Sequence, residues 1–166
     1  LFETWGIDMP LDKVVGDRIS AQKVNAQSSG RRVVTDYLPW MRLEGAGIEP
    51  DDVVTSEIDR VGLLSPGYLT VADDSPLVMT ALLHSTLQSQ LLAIEAVRPF
   101  PDPVAMLTAF EASNTEYPMA ARFTGVLESA FPDGAPPRLN ARGEEIGEDP
   151  VDPVPPHVAV SADPVN

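Results

Sequence analysis

The 166-residue chain contains no cysteine. That rules out disulfides and thiolate chemistry, and it fits a cytosol and a periplasm equally. Basic residues are scarce: 11 Lys and Arg stand against 25 Asp and Glu, for a formal net charge of −14. Nucleic acid and anionic membrane surfaces both require clustered cations. The only adjacent basic pair, Arg31-Arg32, is too small for a phosphate-binding patch. The two histidines, His84 and His157, lie far apart, so a four-ligand structural zinc site is excluded. Asp51-Asp52 and Asp73-Asp74 lack the alternating ligand spacing of a calcium loop. No metal and no cofactor is expected. No apolar run reaches the roughly 20 residues of a membrane helix, and no signal peptide opens the chain. There is no G-x-x-x-x-G-K-[ST] loop, so ATP is not bound in the P-loop manner. Gly45-Ala46-Gly47 runs into Ile48-Glu49-Pro50 and reads as a plain turn.

What is present suits a folded domain. Hydrophobic residues make up 43% of the chain, and its length allows one real core. The best-patterned stretch is Tyr117 to Gly134. Met119, Ala121, Phe123, Gly125, Leu127, Ser129 and Phe131 share one parity, and Arg122, Thr124 and Glu128 fall on the other. This alternation predicts a strand over 117–131, opened by Pro118 and stopped by Pro132-Asp133-Gly134.

Leu1, Phe2 and Trp5 sit at helical spacing, with Gly6 as a C-terminal cap. With no N-cap before them, they read as the end of a helix cut from something longer. Lys13–Gly16 reads as a short strand. Residues 18–26 are extended, with Ile19, Ala21 and Val24 inward. Ser28-Ser29-Gly30 is a turn, and Arg32 to Tyr37 is a strand carried by Leu38–Met41 to an edge or bulge. Asp51-Asp52 opens a helix with Val54, Ile58 and Val61 inward and Gly62 closing it. Tyr68–Val71 is a short strand. Residues 78–92 fit both periods, and the poor helix formers favour a strand over 78–85. A further extended piece covers Leu91–Val97. Asp102-Pro103 starts a helix that buries Val104, Met106, Leu107 and Phe110. Alternating strands and helices imply an α/β layered domain, a mixed β-sheet flanked by helices, over 1–134. Residues 135–166, rich in Pro, Asp and Glu, read as a linker.

Few residues invite chemistry. Tyr37, Trp40 and Tyr68 form a candidate patch for sugar stacking or protein contact, with core packing the alternative. His84 and Ser85 are neighbours, which on a strand point to opposite faces. A working Ser–His pair needs contact and a third orienting group. No G-x-S-x-G elbow is present. Ligand binding is therefore assigned only to Tyr37, Trp40, Tyr68, His84 and Ser85 as candidates, and catalysis to none.

Several segments in order resemble a known family: LFETWGI, KVVGD, DYLPWMRL with DDVVTSEID, LLHSTLQSQLL, PDPVAMLTAF and YPMAARFTGVLESAFPDG. They resemble the GldG-type, gliding-motility-associated auxiliary component of ABC transporters, from residue 1 to about 134. The resemblance implies a membrane-anchored parent with a large part on the extracytoplasmic (periplasmic) face of the inner membrane. The partners it implies are an ABC permease and its ATPase, or a companion envelope protein. It also implies an amidotransferase-like or flavodoxin-like region of which this chain is a later fragment. It supplies no catalytic residues. The expected function is a non-enzymatic accessory domain acting by contact. Two alternatives are a carbohydrate- or peptidoglycan-binding module and a hydrolase of amidotransferase-like ancestry.

Overall fold

A computed structural model describes residues 2–126 and 137–145. The chain divides into two units, Leu1–Ala130 and Phe131–Asn166. Among the described residues of the first unit a 3-10 turn, Glu3–Trp5, precedes nine strands and two short helices. The strands are β1 (Ile7–Asp8), β2 (Lys13–Asp17), β3 (Ala21–Ser28), β4 (Arg31–Glu44), β5 (Arg60–Leu64), β6 (Thr70–Val71), β7 (Val78–His84), β8 (Ser89–Ala93) and β9 (Pro118–Thr124). The helices are α1 (Ile94–Val97) and α2 (Pro103–Thr108).

The predicted helix-flanked α/β domain is not what forms. Among the described residues every strand pairing is antiparallel: β1 with β6, β2 with β8, β3 with β4, β4 with β5, and β7 with β9. Parallel neighbours joined by crossover helices define the amidotransferase-like and flavodoxin-like folds, and neither feature is present among the described residues. Helices of four and six residues cannot cover a sheet. The fold is β-rich.

The largest single error is the helix predicted over 51–62. Asp52 does cap a turn, accepting the Val54 N–H on Oδ1, and Ser56 N–H reaches the Asp52 carbonyl as in one helical turn. The turn goes no further. The predicted stripe has nothing to pack on there, with Val54 and Ile58 both exposed. Val61 and Gly62 instead enter β5, opposite Leu43 and Arg42.

β4 is the spine. Its first half pairs with β3 through the two-residue turn Ser29-Gly30, at φ 50° and 76°. Two positive φ values make this a type I′ turn, whose twist matches the strands, and glycine takes the second at no steric cost. Its second half pairs with β5, from Trp40 opposite Leu64 to Glu44 opposite Arg60. Between the halves the register on β3 jumps: Gln22 faces Tyr37, while Ala21 faces Met41. Leu38, Pro39 and Trp40 thus bulge away from β3. A bulge is where a sheet tolerates proline, as the sequence led one to expect. Gln22 Nε2 spans the gap to the Met41 carbonyl at 3.2 Å, and Pro39 accepts the Ser65 N–H at 2.7 Å.

Two apolar clusters hold the unit. One joins Val14, Tyr37, Leu38, Leu92 and Met106, with Ala21, Val24, Leu107 and Phe110 packed on it. The other joins Val15, Met41, Leu43 and Ile48, with Val61, Leu63, Tyr68, Leu83, Tyr117 and Met119 around it. Successive β2 residues, Val14 and Val15, therefore serve opposite faces, as the period of two requires, while β4 gives Tyr37 and Leu38 to the first cluster and Met41 and Leu43 to the second. Gly16 marks where β2 approaches β4. A Cβ there would lie 2.7 Å from Leu92 Cδ1 and 3.0 Å from Leu38 Cβ.

Several predicted elements form as read. Lys13–Gly16 lies in β2, Val78–His84 is β7, and Gly6 takes φ 69° after the 3-10 turn. The Asp102 carboxylate accepts the Val104 and Ala105 N–H groups at the start of α2, whose Met106 is buried. Ile19, expected inward, is exposed in the turn before β3. β9 ends at Thr124, and its alternation holds there: Ala121 and Phe123 are half-buried, Arg122 and Thr124 exposed. The rest of that predicted strand, 127–131, its stop at 132–134 and most of the Pro-rich segment lie outside the described residues. In the second unit, Asn140 Oδ1 accepts the Arg142 and Glu144 N–H groups, closing a small turn.

Candidate functional site

Of the five candidate residues, the structure brings two together. Tyr37 lies on β4 just before the bulge and Trp40 within it. Their rings meet edge to face at 5.4 Å, the arrangement the ring quadrupoles favour. Tyr37 is only 5% exposed and belongs to the core, and burial raises its phenol above the ordinary value of 10.0. Trp40 is 40% exposed. Both line an open groove of about 950 Å³, walled on one side by Lys23–Gln27 of β3 and on the other by Val97, Arg98 and Pro101–Pro103. Leu64, Trp40's cross-strand partner, and Ser65 complete the lining.

Tyr68 stands apart. It packs edge-on to Tyr117 at 5.5 Å beside the second cluster. Its phenol is raised by desolvation first, and then by the charges of Asp12 and Asp8.

His84 and Ser85 do not form a reactive pair. Ser85 is fully buried just beyond β7, and its Oγ accepts the Tyr117 N–H at 2.8 Å. His84 Nδ1 lies 3.0 Å from the Ser85 carbonyl and 3.9 Å from Glu116 Oε2. The hydroxyl is spent on fixing the β9 entry, where Ser85 N–H also donates to the Tyr117 carbonyl. Ser85→Ala strands a buried N–H, and should lower stability by roughly 1–3 kcal/mol in a urea melt. A nucleophile's role would instead show as lost turnover without lost stability.

The charged groups the sequence did not single out are structural. Arg122 on β9 reaches the Asp52 carboxylate, with Nη2 2.7 Å from Oδ2, and the Asp52 side chain is only 3% exposed. The Val54 N–H and then the Arg122 guanidinium hold that carboxyl below its ordinary 3.8. A carboxylate lowered in the folded state stabilises fully above its unfolded value, and the contribution disappears as pH falls through the lower folded value. The stability gap between the protein and Asp52→Asn should therefore be constant at neutral pH and close below about 3.8. Urea midpoints measured from pH 7 to pH 2 check this. Among the described residues, no group of three His, Cys, Asp or Glu could hold a metal ion. No helix there is long and apolar enough to cross a membrane.

With the groove and its neighbours described, comparison with known proteins adds the context that geometry lacks. A family model described as an ABC-type uncharacterized transport system matches residues 1–165. The chain belongs to this family of ABC transport auxiliary components. No curated protein and no solved structure matches it. The family association reaches through the Pro-rich segment, beyond the stretch to about residue 134 that carried the resemblance. The auxiliary's remaining groove residues were not foreseen. Asn25, Gln27 and Arg98 carry no motif, and only the β3 pairing and the α1–α2 loop place them beside Trp40.

Proposed function

We propose that the domain is a non-enzymatic contact module on the extracytoplasmic face of the inner membrane, within a membrane-anchored parent that accompanies an ABC permease and its ATPase. Membership of the auxiliary family carries this reading. Within that family, the ordered segments from LFETWGI to YPMAARFTGV favour the GldG type. The amidotransferase-like hydrolase reading loses its basis, because the antiparallel strands are not of that fold.

The turn after Ile48 is where we place the protein contact. Val53 is 89% exposed, with Val54 and Ile58 also exposed beside it. A turn of exposed aliphatics is common enough alone. This one is pinned: Asp52 holds it to Arg122, and Thr55 Oγ1 donates to the Glu49 carbonyl. Rigid apolar side chains suit docking, because little entropy is lost on contact. The same turn carries Asp51, Glu57 and Asp59, so the companion surface should be apolar with a basic rim.

The test is a photo-crosslinker at Val53 in native membranes, with a second at Lys23 as comparison. Recovery of the permease or a membrane-bound companion from Val53, and not from Lys23, is expected. Recovery of unrelated soluble proteins alone, or a parent fractionating wholly in the cytosol, would overturn the reading.

A further inference from the structure

We infer that the Trp40 groove is a binding site for an oligosaccharide of flat, β-linked hexose rings. This does not rest on the transport reading.

The argument starts from what the groove presents. The Trp40 indole is 40% exposed, yet it does not swing freely, because the buried Tyr37 ring backs it at 5.4 Å. A fixed, half-exposed indole is a platform for the C–H face of a sugar, which is apolar although its rim is hydroxylated. Around it stand Asn25, Gln27, Ser65 and Arg98. None of their side chains hydrogen-bonds to another described residue. Planar amides, a hydroxyl and a guanidinium are the donors and acceptors that match vicinal hydroxyl pairs. Elsewhere in the unit, polar side chains near backbone are largely engaged, as at Asp17, Asp52, Ser85 and Ser89.

Charge agrees. In a chain of net charge −14 the groove is not acidic. Lys23 is neutralised by Asp36 at 2.8 Å, and Asp102 is turned to the α2 backbone. Arg98 pairs with no acid among the described residues. A neutral or weakly acidic glycan meets no repulsion there.

The competing occupant is an extended peptide. Recognition of a proline-rich peptide needs a groove of several exposed aromatic ridges. Here one aromatic is exposed and the other is only 5% exposed. Strand addition along β3 would take its specificity from pockets for alternate side chains. Lys23, Asn25 and Gln27 are exposed along that strand and offer no apolar pocket.

The experiment is a titration of the full 166-residue chain, followed by amide and indole resonances. The probes are cellotetraose, N-acetylglucosamine tetramer and a decaproline peptide. The expected result is a saturable shift of the Trp40 indole and of the Asn25 and Gln27 side-chain amides with at least one oligosaccharide. Trp40→Ala should weaken that binding roughly tenfold or more, as loss of a central aromatic anchor does. The exposed pair Asn25→Ala with Gln27→Ala should weaken it without altering the melt, which covers the case where Trp40→Ala disturbs Tyr37. No saturable shift with either sugar, undiminished binding by both variants, or binding of the proline peptide alone would overturn the proposal.

Discussion

Replacing Leu38 with alanine is expected to lower the unfolding free energy by about 4 kcal/mol, near the upper part of the range for buried leucines. Leu38 is fully buried in the middle of the β4 bulge. Its neighbours are Val14, Tyr37, Leu92 and Met106. The cost of such a truncation depends on how far the walls can collapse into the space left. Here they are held by two antiparallel ladders, β2 with β8 and β3 with β4. A backbone pinned by both ladders cannot follow a lost side chain, so most of the cavity should persist. The urea midpoint should fall with an unchanged slope. Leu64→Ala is the comparison. That leucine is 68% exposed, and its truncation should change stability by no more than about 0.5 kcal/mol. Similar losses at both positions would mean that the bulge is not the core point described here. For a domain near the lower end of the typical range of about 5–15 kcal/mol, a loss of about 4 kcal/mol would leave the Leu38 variant near its unfolding threshold.

The strands were more legible than the architecture. Alternation predicted over 117–131, of which Pro118–Thr124 forms β9, β-branched residues in 32–37 and the Asp102-Pro103 cap are local signals, and each produced its element. The helix predicted over 51–62 rested on equally good local signals: an acidic opening, apolar spacing and a glycine stop. It failed because spacing shows only that a face is possible, not that a partner surface exists to bury it. Val54 and Ile58 found water, and Val61 found β4. The α/β reading fell with that helix, since a mixed sheet needs crossovers of a dozen or more residues. In the groove, Tyr37 and Trp40 could be named because aromatics stand out in a chain where they make up 6% of residues. Their polar neighbours could not. Asn25 is an unremarkable residue of β3 until pairing brings that strand alongside the bulge. Arg98 joins only through the connection between α1 and α2.

Asp17→Asn should destabilise the protein by about 2–3 kcal/mol, more than its near-identical shape suggests. Asp17 ends β2 and is fully buried. Its Oδ1 accepts the Ile19 N–H at 2.8 Å and the Ser20 N–H at 2.9 Å, and its Oδ2 accepts the Thr86 N–H. Both oxygens are therefore acceptors, and an ionised carboxylate is the side chain that can supply two. Asparagine retains one oxygen. Satisfying the β2–β3 turn with it aims the NH₂ group at the Thr86 N–H, donor against donor. Flipping the amide moves the conflict to the turn. The turn conflict is the worse one, because it would strand two amides, Ile19 and Ser20, against the single Thr86 amide. Thr86 lies in the β7–β8 connection, far along the chain, and serves as the other end of this tie. Hydrogen bonds to a charged group contribute roughly 1.5–3 kcal/mol each, and a stranded buried donor costs a similar amount. The variant should therefore lose about one such bond rather than three. Hydrogen exchange locates the loss: the Thr86 amide should exchange markedly faster in Asp17→Asn, while the Val15 amide, which donates to the Pro66 carbonyl, changes only by the global destabilisation. Equal acceleration at both amides would show the effect to be global and the tie to be unimportant. The location matters for function as well, because β3 starts four residues after Asp17 and carries Asn25 and Gln27 to the Trp40 groove. A loosened corner should leave those amides less well placed, so the oligosaccharide titration repeated on Asp17→Asn should show weaker binding although no groove residue has changed.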